Sequence, residues 1–270
     1  MNVAIAQLEV EPAAIEANIE RARTAIAEAA TEGAGLVVLP ELFNVGYFAF
    51  DAYARCAESL AGPTLAHIRE TAVENDVAVL AGTIVEDLSA TVDRTDVSTP
   101  ASDGLANTAV LFDAEGTRQL VYRKHHLFGY GSAEQDLLTP GERLPTTDLG
   151  GLTVGVTTCY DVRFPELYRR LADQGVDLVG MPSAWPYPRV EHWQTLPKAR
   201  AIENLCYLVA ANGVGTFEDA ALLGRSAVYD PWGTTLASAG DEATLLSATV
   251  DPERAAAVRE EFPALADRRR

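Results

Sequence analysis

Leu152–Arg170 reads LTVGVTTCYDVRFPELYRR. Its opening, LTVGVTT, has the apolar run of a strand, and FPELYRRLADQG has the spacing of a helix, with Pro165 near its first position and Gly175 as its stop. Cys159 stands at the junction. Two readings of that thiol are open: a nucleophile, or a small residue ending a buried strand, since cysteine is among the most buried residue types.

The same alternation continues outward. Downstream, VDLVGMPS reads as a strand, and RVEHWQTLPKARAIENL as a helix that must tolerate or bend at Pro197. CYLVAANGVG, RSAVYDPWG and ATLLSATVD read as strands, and PERAAAVREEF as a closing helix before a basic tail. Upstream, NVAIAQL alternates as a half-buried strand does, and residues 11–32 place Ile15, Ile19, Ala22 and Ile26 on one helical face. GLVVLP is a short strand closed by proline, AGPTLAHIRETAVEND a helix, and VAVLAGTIVED a strand. DVSTPASDG is a polar loop, and LANTAVLFDAEGTRQLVYRK a hairpin turning at DAEG. Strands alternating with helices predict an α/β fold with a mixed sheet covered by helices. No linker divides the chain, so one domain is expected over 1–270, with a short C-terminal helix and tail at about 251–270.

Composition narrows the function. The net charge of −18 opposes binding to nucleic acid or to an anionic membrane. No apolar run approaches the roughly 18 residues of a membrane span, and MNVAIAQLEVEP lacks the basic and apolar regions of a signal peptide, so a cytoplasmic protein is expected. The three cysteines, Cys56, Cys159 and Cys206, give no disulfide framework and no CxxC pair. The four histidines include the adjacent His125 and His126, poor spacing for two ligands, so no metal is expected. Only Lys124 and Lys198 are lysines, against nineteen arginines. Acidity with so little lysine suggests adaptation to a salty interior, where screening weakens repulsion between carboxylates; unfolding midpoints that rise from low salt to molar KCl are the expected sign.

Three polar residues share one kind of position. Glu41 follows LVVLP, Lys124 follows QLVYR, and Cys159 follows LTVGVTT. Ligands of open α/β sheets sit outside the carboxyl ends of strands, so the three can converge. A carboxylate with its pKa raised by burial can take a thiol proton, and an ammonium can offset the oxyanion formed when sulfur adds to a carbonyl or nitrile carbon. Spacing alone leaves a solvated Glu41, a surface Lys124 and a structural Cys159 as the competing reading.

The blocks VVLPELFNVGYF, YRKHHLFGYGSAEQDLLTPGE and GVTTCYDVRFPELYRRL resemble the three signature blocks of the nitrilase superfamily, the carbon–nitrogen hydrolases. The likeness also takes in VAIAQLEV, HWQTLPKARAIENLCYLVAAN and GRSAVYDPWGTTLASAG, nearly the whole chain. It implies a four-layer α-β-β-α sandwich, dimerised through its helices or assembled into a higher even-numbered homo-oligomer, with catalytic residues Glu41, Lys124 and Cys159 and no cofactor. It puts the family's second glutamate on Glu134 and an oxyanion-holding backbone N–H on Tyr160. It implies attack of Cys159 on a small amide and hydrolysis of the resulting thioester.

CYDVRF resembles the omega-amidase branch. Hydrolysis of N-carbamoyl compounds or nitriles is the alternative activity, and a non-catalytic binding or accessory subunit on the same fold is the alternative of a different class. A Cys–His thiol enzyme would need a positioned histidine, for which only His192 is placed. Arg163 has two readings, a clamp for a substrate carboxylate or an ion pair with Glu166 or Asp161, and the sequence favours the second. Trp185, Tyr187 and Trp193 follow VDLVGMPS and suit either a pocket wall or packing; Tyr47 and Phe48, after Glu41, are similar wall candidates. Cys56 and Cys206 read as structural. His125, His126 and Tyr130 lie near Lys124 in sequence and acquire no role of their own.

Overall fold

The structure is a computed structural model that describes residues 1–218 and 220–269. Two six-stranded mixed sheets stack face to face. The first is built from β1 (Asn2–Gln7), β2 (Leu36–Val38), β3 (Ala78–Asp87), β4 (Leu105–Phe112), β5 (Arg118–Arg123) and a late strand, Thr244–Thr249, which pairs antiparallel with β1. The second is built from β6 (Thr146–Leu149), β7 (Leu152–Val156), β8 (Leu178–Ser183), β9 (Tyr207–Asn212) and two further strands, Ala227–Tyr229 and Thr235–Ser238. β1, β2 and β3 run parallel, as do β7, β8 and β9.

Period-two burial makes the layers. Val3, Ile5, Leu36, Val38, Ala78 and Leu80 pack with Val154, Val156, Leu178 and Val209 between the sheets. The alternate residues Ala4, Ala6, Val37, Leu39 and Val79 pack outward on Ile19, Ala22, Ile26, Leu65 and Ile68. These belong to the helices Ile15–Thr31 and Pro63–Glu74. The helices Pro165–Asp173 and Val190–Asn204 cover the second sheet through Leu167, Leu171, Trp193 and Ala201. The result is the four-layer α-β-β-α sandwich. Among the described residues no helix is long and apolar enough to cross a membrane.

Differences from the expected elements are local. The first long helix starts at Ile15 rather than residue 11, because Pro12 and a left-handed Ala13 (φ 55°) occupy its approach. Leu88–Arg94, within a stretch given no helix, is a short one; its N-cap Asp87 accepts from Ala90 N at 2.9 Å. Cys206 lies just before β9 rather than inside it, and is buried. Val190–Asn204 runs through Pro197 without interruption.

Candidate active site

Each key side chain leaves the end of a strand. Glu41 lies three residues beyond β2, and the chain there is seated by β3. β3 has a bulge between Ala81 and Ile84. Inside it, Gly82 lets the Pro40 backbone approach so closely that a Cβ would stand 1.9 Å from the Pro40 carbonyl oxygen. Thr83 Oγ1 accepts from Leu42 N at 2.7 Å. Lys124 directly follows β5. Arg123, on the opposite face, is locked by buried Glu86 through Nε and Nη2, both at 2.7 Å. Gly141 of the TPGE segment donates to Lys124 O at 2.9 Å, and a Cβ there would meet Arg123 O at 2.1 Å.

Cys159 lies three residues beyond β7 and opens the 3-10 helix Cys159–Arg163. Its φ of 46° is left-handed, where a non-glycine residue costs about 1–3 kcal/mol. A backbone suited to glycine that keeps a thiol points to use of the thiol. Asp161 holds this turn. Its Oδ2 accepts from Thr158 N at 2.9 Å and Tyr122 OH at 2.5 Å, and its Oδ1 from His126 N at 2.9 Å and His126 Nδ1 at 2.8 Å. The cysteine turn is thereby tied to the segment that follows Lys124.

The three residues meet. Lys124 Nζ donates to Glu41 Oε1 at 2.8 Å and to Glu134 at 2.8 and 3.0 Å. Glu41 Oε2 accepts from Ala184 N at 2.9 Å, and the Glu41 carboxyl and the Cys159 thiol are near enough for each to shift the other's pKa. Asn107 Nδ2 bridges the two carboxylates, at 2.8 Å from Glu41 and 3.1 Å from Glu134. Glu134 Oε2 also accepts from Tyr47 OH at 3.0 Å and Phe128 N at 2.7 Å. Glu41, Lys124 and Glu134 are buried.

Burial sets the protonation states. Desolvation raises the Glu41 carboxyl above its ordinary value, opposed by Lys124 and reinforced by Glu134. Desolvation, with the charge of Glu41, lifts the Cys159 thiol well above its ordinary value, against the pull of Lys124. Burial alone would lower Lys124, but Glu134 and Glu41 together outweigh it and hold the ammonium well above its usual range. A thiol made harder to ionise thus faces a carboxyl made more basic, with an ammonium held more firmly charged alongside. Tyr160 N–H lies in the first turn of the 3-10 helix, where it has no intrahelical acceptor.

A cavity of about 220 Å³ opens onto Cys159 and Lys124. Tyr47, Tyr160, Arg163 and Trp185 line it, as do Phe48, Tyr130 and Tyr187. Trp193 does not; it is buried, with Nε1 donating to Arg225 O at 2.7 Å. The ion pair expected of Arg163 is absent: Asp161 is engaged elsewhere, Glu166 is exposed, and Arg163 Nη2 instead donates to His192 Nδ1 at 3.0 Å. His126, given no role from sequence, is a partner of Asp161 and stacks on Phe164 at 3.7 Å. Sequence reasoning also missed Asn107, whose one signal is an amide inside the apolar run LANTAVLF, and Asn212, which clamps Trp185 N and O at 2.7 and 3.2 Å. Among the described residues no group of three or more His, Cys, Asp or Glu side chains is placed to hold a metal ion.

A buried carboxylate–ammonium–thiol cluster at the strand ends of an α-β-β-α sandwich defines a class of thiol-dependent carbon–nitrogen hydrolases. The chain belongs to that family: the carbon-nitrogen hydrolase family model matches residues 2–260. It is 37% identical over 240 residues to a 2-oxoglutaramate amidase of Paenarthrobacter nicotinovorans, covering 87% of this chain and 79% of that one. It is 32% identical over 276 residues to omega-amidase NIT2 of Xenopus tropicalis, covering 99% and 94%. Among solved structures, a glutamate-to-glutamine mutant of the amidase from Nesterenkonia sp. AN1, showing covalent addition of the acetamide moiety of fluoroacetamide at the active site cysteine, superposes with a TM-score of 0.83. The two are 28% identical, over 100% of this chain and 94% of the amidase.

Proposed function

We propose that this protein hydrolyses the terminal amide of a small carboxylic acid, an omega-amidase reaction, releasing ammonia and a dicarboxylate. The observation that carries the reading is the buried Glu41 carboxyl, which accepts from Lys124 Nζ at 2.8 Å where both Lys124 and Cys159 open onto one cavity. Cys159 Sγ adds to the amide carbon while Glu41 takes its proton. Lys124 Nζ and Tyr160 N–H hold the oxyanion. Glu41 passes the proton to the departing nitrogen, the C–N bond breaks, and a thioester remains. Glu41 then takes a proton from water, whose oxygen adds to the thioester; the C–S bond breaks and the proton returns to sulfur. Glu134, bonded to Lys124 through both oxygens, orients the ammonium.

The substrate class is supported by the relatives' amides and by Arg163, a pocket-lining cation with no carboxylate partner among the described residues. The intact cluster speaks against a non-catalytic binding subunit. The family resemblance further supports a cytoplasmic homodimer joined through its helices, which a solution mass of two chains checks. Ammonia release from glutaramate and succinamate tests the activity. Cys159→Ala is expected to lose at least about 10⁴-fold in kcat while keeping the wild-type circular dichroism and melting temperature within a few degrees. Substantial turnover by that variant would remove Cys159 as the nucleophile.

A further inference from the structure

We propose that Arg189 is a specificity-determining residue that joins Arg163 in a two-guanidinium receptor for the acyl-chain carboxylate and turns away amides bearing an ammonium beside that carboxylate. The proposal rests on the omega-amide reading above. Arg163 and Arg189 line the cavity that holds Cys159. The Arg163 guanidinium lies 4.9 Å from the Trp185 ring centre and 5.8 Å from that of Tyr160; the Arg189 guanidinium lies 5.4 Å from that of Phe128. Phe128 meets Tyr160 edge to face at 4.9 Å. A run of aromatic rings thus carries two cations along one wall, and cation–π contact gives each a place without neutralising it.

Arg189 is held in register with that wall. It directly precedes the helix Val190–Asn204, and its carbonyl accepts from Trp185 Nε1 at 3.0 Å and Trp193 N at 3.2 Å. Acidic residues outnumber basic ones 39 to 21, yet neither guanidinium has a carboxylate partner among the described residues. Burial, with the charge of Arg189 adding to it, keeps the Arg163 guanidinium below its ordinary value, so the two cations feel one another. An arriving carboxylate relieves that repulsion and accepts from both forks. The same field opposes an ammonium on the adjacent carbon, whereas an oxo group or a methylene there carries no opposing charge.

The experiment measures kcat/KM for ammonia release from glutaramate, glutamine and pentanamide with wild type, Arg163→Met, Arg189→Met and Arg189→Lys. Arg189→Met is expected to lower the glutaramate-to-pentanamide ratio at least about tenfold, through KM, and the glutaramate-to-glutamine ratio about fivefold. Arg189→Lys, which keeps the charge without the fork, is expected to retain more of both ratios than Arg189→Met. Both ratios unchanged in Arg189→Met, while Arg163→Met lowers the first, would overturn the role of Arg189 and leave the omega-amide reading standing. A wild type with no preference for glutaramate over pentanamide would overturn both.

Discussion

At the floor of the cavity, Lys124 meets Glu41 and Glu134 at 2.8–3.0 Å with all three side chains out of water. At its rim, Arg163 and Arg189 are half exposed, rest on aromatic rings and meet no carboxylate among the described residues. Burial explains the contrast. A charge removed from water must be compensated inside the chain, so the floor is complete before any substrate arrives. A half-solvated guanidinium can wait for its counterion, which on the proposed reading is the substrate carboxylate. The proposed function and the proposed receptor would then put chemistry in the floor and selectivity in the rim, on separate residues.

Lys124→Met is the harshest way to break this comparison. It leaves Glu41 and Glu134 buried together without their common cation, which costs about 3–5 kcal/mol. It also removes an oxyanion partner, so kcat is expected to fall about 10³-fold. The pH dependence has a definite sign. Lys124 is what pulls the Glu41 pKa down, so its loss drives a carboxyl already above 4.5 higher still. A carboxyl whose folded pKa exceeds its unfolded value binds more protons when folded, and stability then falls as pH rises through that window. The melting temperature of Lys124→Met should drop further below wild type at pH 8 than at pH 5. A gap that narrows with rising pH would mean the carboxylates are not mutually dependent on Lys124.

How much of this was legible in the sequence depends on the range of the partners. Glu41, Lys124 and Cys159 are readable because each ends a strand and sits in a recognisable block. The layering is legible only through the family resemblance: the strand pattern reads as one mixed sheet with NVAIAQL half-buried, whereas Val3–Gln7 is buried on both faces, between the sheets and under the helices. Asp161 is not readable as an anchor, since its partner Tyr122 is 39 residues away and reaches it from the opposite sheet. Arg163 was misread for the same reason: near neighbours in sequence offered carboxylates, while the fold brought His192. Arg189 gave no signal at all, because its meaning lies in sharing a wall with Arg163.

Asp161→Asn sharpens the comparison at an intermediate scale. Asp161 accepts four bonds, two on each oxygen, and an amide in its place presents a donor to groups that are themselves donors. Stability should fall by about 1–3 kcal/mol. A purely structural role would stop there. A positioning role for the strained Cys159 turn predicts in addition a kcat lowered about 10- to 100-fold with KM nearly unchanged, and slower alkylation of Cys159 in the folded protein. Unchanged alkylation with reduced stability would leave Asp161 structural only.

Tyr47→Phe has the smallest expected effect and tests where floor ends and rim begins. The ring of Tyr47 lines the cavity, while its hydroxyl donates to Glu134 Oε2 at 3.0 Å and contacts Ser132 Oγ at 3.2 Å. Removing the hydroxyl takes one donor from Glu134 but leaves Lys124 Nζ, Asn107 Nδ2 and Phe128 N in place. One charged-acceptor hydrogen bond is worth about 1.5–3 kcal/mol, and the remaining donors absorb part of that loss. A fall in kcat/KM of less than about tenfold is therefore expected, with a melting temperature lowered by a few degrees. A hundredfold fall would show that the floor is not self-sufficient and that Glu134 depends on a residue of the cavity wall to keep Lys124 aimed.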